Sequence, residues 1–142
     1  MGYNAIRAAV TVVAVSAALL GGQTLTTAPV AQAVDRSCTF AFNKEPYLLH
    51  NAVVVGGTVK CDPAPLEFHL TLQLWHRSGT SNPKPKGDPA IITDIPNPTR
   101  HVATMALDCV PGMWQGKIVM RATWDTGTSE SRKETIPAII QC

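Results

Sequence analysis

Charge is scarce in this sequence, and neither sign dominates. Among its 142 residues, 12 Lys and Arg stand against 10 Asp and Glu, which gives a formal net charge of +2. Binding of nucleic acid or of an anionic membrane surface requires a clear excess of positive charge. We therefore expect no nucleic-acid partner. The apolar content of 45% is that of a globular chain, which excludes a wholly disordered one.

The sequence also lacks the short motifs of several enzyme classes. It contains no Gly-x-Ser-x-Gly nucleophile motif and no glycine-rich loop of the kind that cradles phosphate. The histidines have neither the H-x-H nor the H-x-x-x-H spacing of metal ligands, and the cysteines form no C-x-x-C pair. We therefore expect no enzyme activity, no cofactor and no metal ion. A small hydrolase is the least favoured function.

One short motif is the exception. Residues Asp125-Thr126-Gly127-Thr128-Ser129 follow an apolar segment and resemble the active-site turn of aspartic proteases. That resemblance implies a dimer in which two aspartates share one proton. It covers only these residues, and too little chain follows them to form the glycine-rich flap of retroviral-type subunits. Because an Asp-x-Gly turn also connects the strands of many hairpins, we predict a hairpin here and no peptidase activity.

No apolar run is long enough to cross a membrane. The run Ala8–Leu20 has thirteen residues, whereas a spanning helix needs about 20. It follows the basic Arg7 and precedes the small-residue sequence Ala31-Gln32-Ala33. This order is typical of a secretory signal peptide. We predict that residues 1–33 are a signal peptide cleaved after Ala33, and that residues 34–142 form one secreted domain without a membrane span. An uncleaved membrane anchor is the alternative.

All of the cysteines follow the predicted cleavage site. They are Cys38, Cys61, Cys109 and Cys142. An even number of cysteines in an exported chain indicates disulfides, here two. We favour Cys38–Cys61 with Cys109–Cys142, because segments close in sequence usually pair and would place each couple on facing strands. The rival arrangement joins Cys61 to Cys109, as the inter-sheet bond of immunoglobulin domains does, and leaves Cys38 for Cys142.

Alternating hydrophobicity takes the place of helical periodicity in the secreted region, which also holds ten of the 11 prolines. In Leu66–Leu74 every even-numbered residue is apolar and every odd-numbered one is polar. This pattern predicts a strand whose even residues face the core. Less regular alternation marks residues 38–42, 53–61, 102–109, 116–124 and 134–142, and Ile91-Ile92 adds a short edge strand. We predict an all-β fold, an antiparallel β-sandwich of about seven short strands.

The alternation also assigns side chains to the core. In residues 102–109 it places Ala103, Met105, Leu107 and Cys109 together on the core face. In residues 116–124 it places Trp124 in the core.

The order Cys61, Trp75, Cys109 resembles the immunoglobulin pattern. The resemblance implies a sandwich of immunoglobulin-like architecture. Trp75 has the parity of the solvent face, and Leu107 stands where that family has a corner tyrosine. We therefore predict the architecture without membership of the family.

A second resemblance is carried by Gly112-Met113-Trp114-Gln115-Gly116-Lys117. This stretch is similar to a G-x-W-x-G-K stretch in the subtilisin-inhibitor-like proteins of actinomycetes. Those proteins are exported, have a similar size and contain two disulfides, so the resemblance implies a secreted protease inhibitor. More broadly, the Ala/Val-rich leader ending in A-Q-A is similar to the leaders of small exported two-disulfide proteins of Actinobacteria.

The longest irregular segment is Gly79–Arg100, which holds five prolines. It predicts an extended crossing from one sheet to the other. The sharper interpretation is a rigid recognition loop, because proline lowers the entropy that is lost on binding.

A candidate ligand surface lies just before and within this segment. It comprises Trp75, His76, Lys84 and Lys86. Trp75 with His76 would form a flat platform for a ligand such as a sugar, and a Trp75 ring covered by the proline-rich segment is the alternative. The sequence thus predicts a secreted, non-catalytic binding module whose partner is an extracellular protein or glycan. A protease inhibitor that presents the proline-rich loop is the alternative function.

Overall fold

The computed structural model describes residues 35–142, and every regular element in that range is a β-strand. The predicted signal peptide, residues 1–33, lies outside the described residues. The strands are β1 (Ser37–Phe42), β2 (Tyr47–Leu49), β3 (Ala52–Asp62), β4 (Glu67–Arg77), β5 (Lys84–Ile92), β6 (Thr99–Ala106), β7 (Gly112–Trp124), β8 (Gly127–Glu134) and β9 (Ala138–Ile140). Two antiparallel sheets form a sandwich, so the predicted fold class is confirmed.

The first sheet, sheet A, is built around β3. Strand β6 pairs along one edge of β3, and β1 and β2 pair along the other. Because β1 pairs with the second half of β3 and β2 with its first half, β1 and β2 lie in line. The β2–β3 hairpin turns at His50, whose φ is 56°.

The second sheet, sheet B, has the strand order β5-β4-β7-β8. Strand β9 pairs with the first three residues of β7, and β8 pairs with the remainder of β7 from Lys117 onwards. Strands β8 and β9 therefore lie in line along one edge of the sheet. The edge of each sheet on this side is thus made of two shorter strands.

The core lies between the inner faces of the two sheets. Leu70, Leu72 and Leu74 of β4 are fully buried, and the residues between them are turned to the other face. Each such leucine stabilises the fold by about 1.5–3 kcal/mol. Leu66, which the alternation placed in the core, is exposed, because it precedes the first residue of β4. Trp124 is buried, as predicted.

Strand β6 faces the core with the opposite set of residues from the predicted one. Val102, Thr104 and Ala106 are buried, whereas Ala103 and Met105 face solvent. The buried hydroxyl of Thr104 is satisfied, because it donates a hydrogen bond of 2.5 Å to the backbone carbonyl of Asp88. Burial of a threonine hydroxyl that has such a partner costs little free energy. The prediction failed because it assigned the polar Thr104 to the solvent face.

Both disulfides have the favoured pairing. Cys38 and Cys61 are direct partners in the β1–β3 ladder, with their Cα atoms 4.1 Å apart. Cys109 and Cys142 are bonded beside the β7–β9 pairing, with a Cα–Cα distance of 5.9 Å. The rival pairing of Cys61 with Cys109 is wrong, and no disulfide of the immunoglobulin type links the two sheets.

The proline-rich segment contains more regular structure than its composition predicts. Strand β5 runs from Lys84 to Ile92 along the edge of sheet B, and it includes the predicted edge pair Ile91-Ile92. Proline is tolerated there because an edge strand has one side without a ladder. The segment then continues to β6 in sheet A, which confirms the predicted crossing between the sheets. Within residues 35–142, no helix has the length and apolar character needed to span a bilayer.

Candidate binding surfaces

The predicted platform of Trp75 and His76 is divided between two faces of sheet B. Trp75 lies on the outer face, where the Lys117 ammonium is 5.1 Å from the centre of its ring. His76 lies against the buried Trp114, with the ring centroids 4.7 Å apart, and its Nε2 is 3.2 Å from the carbonyl oxygen of Pro111. The two side chains therefore do not form one flat surface.

The two lysines of the predicted surface are also separated. Lys84 is exposed at the start of β5, opposite His76 in the ladder. Lys86 is half-buried and lines a concavity between β5 and the end of β6. The structure thus distributes the predicted site over three places. Ligand binding at any one of these residues stays a prediction.

The polar groups around Trp75 are engaged with one another. Lys117 forms a 2.8 Å ion pair with Glu134, whose other carboxylate oxygen accepts a 3.1 Å hydrogen bond from Gln115. Gln115 also donates to the backbone carbonyl of Thr135. A ligand on the Trp75 ring would have to displace these contacts, so the network favours a structural role for the half-buried indole.

A polar concavity of about 330 Å3 lies elsewhere on the outer face of sheet B. It is lined by Glu67, Phe68, His69, Arg121 and Thr123. Glu67 pairs with Thr123 and His69 with Arg121 across two neighbouring strands. The concavity is therefore the space between two rows of side chains on a sheet face.

The Asp125-Thr126-Gly127 motif forms a hairpin turn, as predicted. Strands β7 and β8 meet there, with Trp124 paired to Gly127 and only two residues between them. Gly127 has a φ of 137°, which other residues rarely adopt. The Asp125 carboxylate forms an ion pair with Arg36. The motif is therefore a hairpin turn between β7 and β8, and its Asp125 also holds Arg36, near the start of the described residues, in place.

An apolar patch occupies one end of the outer face of sheet A, and we call it the sheet A patch. Tyr47, Val54 and Met105 are successive partners across β2, β3 and β6. Leu49 is 50% exposed, Met105 51% and Leu107 71%. Val54 is only 8% exposed although it faces outward, because its two ladder neighbours cover it. The patch is therefore a packed apolar surface with large side chains open to solvent.

A concavity of about 250 Å3 adjoins the patch. It lies between the bulged part of β5 and the end of β6. Its lining comprises Lys86, Gly87, Asp88, Met105, Ala106, Leu107 and Asp108. Met105 and Leu107 belong to both the concavity and the patch, so the two features form one continuous surface with an apolar centre and charges of both signs at its rim.

The bulge that shapes the concavity is stabilised by a half-buried amide. The β4–β5 register shifts between Leu72 and Leu74, so extra residues of β5 lie opposite Gln73. The Gln73 amide nitrogen donates to the backbone carbonyls of Lys86 and Gly87, each at 3.1 Å. This side chain thereby satisfies backbone groups that lose their partners in the bulge.

The sheet A patch was missed by sequence reasoning, which placed Met105 and Leu107 in the core. A signal was available in the apolar residues on both faces of residues 102–107, where only Thr104 is polar. A strand with apolar residues at both parities predicts either burial on two faces or an exposed apolar face.

The described residues gather no metal-binding group, since no three His, Cys, Asp or Glu side chains in 35–142 lie close enough to hold an ion. Comparisons with protein-family models, with curated proteins and with solved structures find no match to this chain.

Proposed function

We propose that this protein is a secreted, non-catalytic module that binds a partner protein through the sheet A patch. The observation that carries the proposal is the exposure of Leu49, Met105 and Leu107 within one patch on a regular sheet. Isolated apolar residues are ordinary on protein surfaces, whereas contiguous apolar patches are typical of interaction sites. Secretion is supported by the two disulfides, because such bonds persist in oxidising compartments.

The chemistry of the patch favours a protein over a glycan. Leucine and methionine side chains have no aromatic face on which a sugar ring can stack. The one aromatic ring in the patch, Tyr47, has the Lys44 ammonium 3.5 Å from its centre. Protein interfaces are enriched in methionine and tyrosine and carry a polar rim. A partner with apolar side chains at its centre and polar groups facing Lys86 and Asp88 fits this surface.

The apolar contribution sets a limit on affinity. Each of the three exposed side chains is at least half accessible, so covering it contributes about 1 kcal/mol. The sum of about 3 kcal/mol is less than half of the roughly 8 kcal/mol of a micromolar complex. The adjoining concavity and the charged rim must therefore contribute the larger share.

A protease inhibitor is less well supported as a function. It requires a protruding segment that enters a protease active site, whereas the middle of the proline-rich segment, Lys84–Ile92, is strand β5 and pairs along β4. The tip that remains is short, because the Ser81 amide donates a 3.1 Å hydrogen bond to the carbonyl of Ser78.

Photocrosslinking tests the proposal. A photoreactive amino acid replaces Leu107 in the protein expressed in its source organism, and the matched control carries it at Val119. Val119 is also an exposed apolar residue, but it lies on the outer face of sheet B. We expect one crosslinked protein at position 107 that is absent at position 119.

A substitution separates specific binding from general stickiness. Met105→Asp places a charge at the centre of the patch and should abolish the crosslink at position 107. The side chain is half exposed and its other half covers Val54, so the free energy of unfolding should fall by about 1 kcal/mol, which leaves the domain folded. Equal crosslinking at positions 107 and 119, or crosslinking that Met105→Asp leaves intact, would contradict the proposal.

A further inference from the structure

Strand β8 forms an open edge of sheet B. It pairs with β7 along a regular register from Lys117↔Glu134 to Trp124↔Gly127, with no bulge. Its side chains are exposed except for a half-buried Ser131. A long strand with one free side exposes backbone donors and acceptors, which can pair with another chain.

The hydrogen-bonding phase of β8 identifies the groups that are free. The amide of Thr135 donates a 2.9 Å bond to the carbonyl of Gly116, directly opposite it in the continued ladder. Bonded and non-bonded pairs alternate along an antiparallel ladder. The backbone groups of Thr128, Glu130, Arg132 and Glu134 therefore point away from β7, towards the open edge.

The other edges in the described part of the chain are blocked or short. On β1, the outward carbonyl of Phe40 accepts a 2.9 Å hydrogen bond from the Lys133 ammonium. Strand β5 carries Pro85 and Pro89 and a bulge. The edge of β6 packs against β5 through the Thr104 bond described above. Strands β2 and β9 have three residues each. Strand β8 alone combines length with a regular, open backbone.

Lys133 does not close the edge of its own strand. It lies opposite Ile118, which is buried in the core, so its side chain is turned towards sheet A. There it is held by the Phe40 carbonyl. The charges that face outward on β8 are Glu130, Arg132 and Glu134, which alternate in sign. A row of like charges would repel a second copy of this strand in every alignment. Because these charges alternate in sign, two β8 strands can align with opposite charges facing each other.

We propose that two copies of this protein associate by antiparallel pairing of their β8 strands, about a two-fold axis at Ser131. In this register Glu130 lies opposite the partner's Arg132, and Arg132 opposite the partner's Glu130. The backbone N–H and C=O groups of Glu130 and Arg132 point towards the open edge, so each Glu130–Arg132 couple across the axis can form the two backbone hydrogen bonds of an antiparallel ladder. The lysine at 133 lies opposite a serine, and no like charges are directly opposed.

Neighbouring registers are unfavourable. A shift of the axis to residue 130 places Glu130 opposite its own copy, and a shift to residue 132 does the same for Arg132. Like charges directly opposite each other destabilise a strand pair. Only the axis at Ser131 aligns the whole strand with opposite charges facing. The result is one sheet in which sheet B of each copy continues into the other, and this goes beyond the binding function proposed above.

The existing ion pair in each copy strengthens the alignment. Within one chain, Arg132 Nη2 lies 2.8 Å and Nε 2.9 Å from the same carboxylate oxygen of Glu130. Pairing of the two strands would bring both such couples together as a network of four alternating charges. Exposed single pairs contribute little, whereas networks of charges contribute more.

Charge reversal tests the register by sedimentation velocity on the oxidised protein over micromolar to millimolar concentrations. We expect reversible dimers for the wild type. Arg132→Glu opposes two pairs of glutamates and should weaken the dimer about tenfold or more. The double variant Glu130→Arg with Arg132→Glu should restore it. Lys60→Glu, an equal change of charge on the outer face of sheet A, is the control and should leave the dimer unchanged.

A cysteine crosslink tests the axis independently. Facing residues of a non-hydrogen-bonded pair have Cα atoms about 4.5 Å apart, within disulfide reach. Ser131→Cys should therefore form a covalent dimer under mild oxidation. Ser129→Cys, whose copies would be four residues apart or about 13 Å, should not.

A wild type that stays monomeric at millimolar concentration would overturn the proposal. So would a dimer that Arg132→Glu leaves intact, a double variant that fails to restore it, or equal crosslinking at positions 129 and 131.

Discussion

Lys133 in sheet B donates a 2.9 Å hydrogen bond to the backbone carbonyl of Phe40 in sheet A. The bond satisfies an edge carbonyl that has no strand partner. Lys133→Met keeps most of the aliphatic side chain and removes only the donor. We expect a loss of about 1 kcal/mol in the free energy of unfolding, and a fall in Tm of about 5 °C for a domain of this size.

Thermal unfolding with the disulfides intact measures this effect. The control is Lys60→Met, which changes an exposed lysine on the outer face of β3. An equal fall in Tm for both variants would show that the bond to Phe40 contributes nothing.

The close approach of the two sheets at Gly116 leads to a second prediction. A Cβ atom at this position would lie 2.7 Å from Cγ2 of Val55 and 3.2 Å from Cγ2 of Thr135. Gly116→Ala should therefore destabilise the fold by about 1–3 kcal/mol through overpacking. Val55→Ala removes the closest obstacle, so the double variant should lose less free energy than the two single losses added together.

Urea unfolding of the four proteins in this cycle measures the coupling. Strictly additive losses would show that the backbone moves apart to accommodate the methyl group, and would contradict the tight contact with Val55.

The amide of Gln73 supplies a third prediction. Gln73→Leu removes the donor to the carbonyls of Lys86 and Gly87, which water can partly replace, so we expect a cost of about 0.5–1.5 kcal/mol. Because the bonds lie in the β5 bulge, amide exchange should accelerate there before it does elsewhere in sheet B.

Hydrogen exchange followed by mass spectrometry locates the effect. Thr71→Leu, on the same face of β4, is the matched control and should leave exchange in residues 84–92 unchanged. Uniform acceleration across the sheet in both variants would assign the loss to hydrophobic exposure and not to the bulge.

The disulfide pairing gives a fourth prediction. Replacing both Cys38 and Cys61 by serine should lower the free energy of unfolding by about 2–4 kcal/mol. Titration of the denatured protein should then find no free thiol, because Cys109 and Cys142 remain bonded. The single variant Cys38→Ser should expose one thiol, and peptide mapping should assign it to Cys61. A free thiol at Cys109 would contradict the pairing.

The parts of the fold that the sequence predicts well are those in which one residue type fixes one face. In β4, three leucines alternate with polar residues, so the inner face is unambiguous. The pairing of Cys38 with Cys61 follows from two strands that fold back at His50. Short-range geometry decides both features, and sequence carries that information directly.

The sheet A patch and β5 depend on tertiary context instead. In β6 the hydroxyl of Thr104 is buried because the carbonyl of Asp88 lies beside it, and Asp88 belongs to a different sheet. Prolines in β5 are tolerated because the strand lies at an edge, and the sequence pattern predicted only its last two residues, Ile91-Ile92, as an edge strand. The predicted ligand surface is scattered because Trp75 and His76 are neighbours in β4 and face opposite sides of sheet B. The sheet A patch was missed because the predicted facing of β6 was inverted.

The two sides of the sandwich differ in how the sheets are joined. On one side the backbone of Gly87 packs directly against Met105 and Ala106. On the other side, the sheets are bridged by the Cys109–Cys142 disulfide near β9 and by the long side chains of Lys133 and Arg36 near β1 and β8. The side formed by β5 and β6 then acts as a hinge, and the side formed by β1 and β8 is the one at which the sheets can separate. Transient opening of the sandwich should begin between β1 and β8, and it should expose Phe40 and Ile118 to water before the leucines of β4.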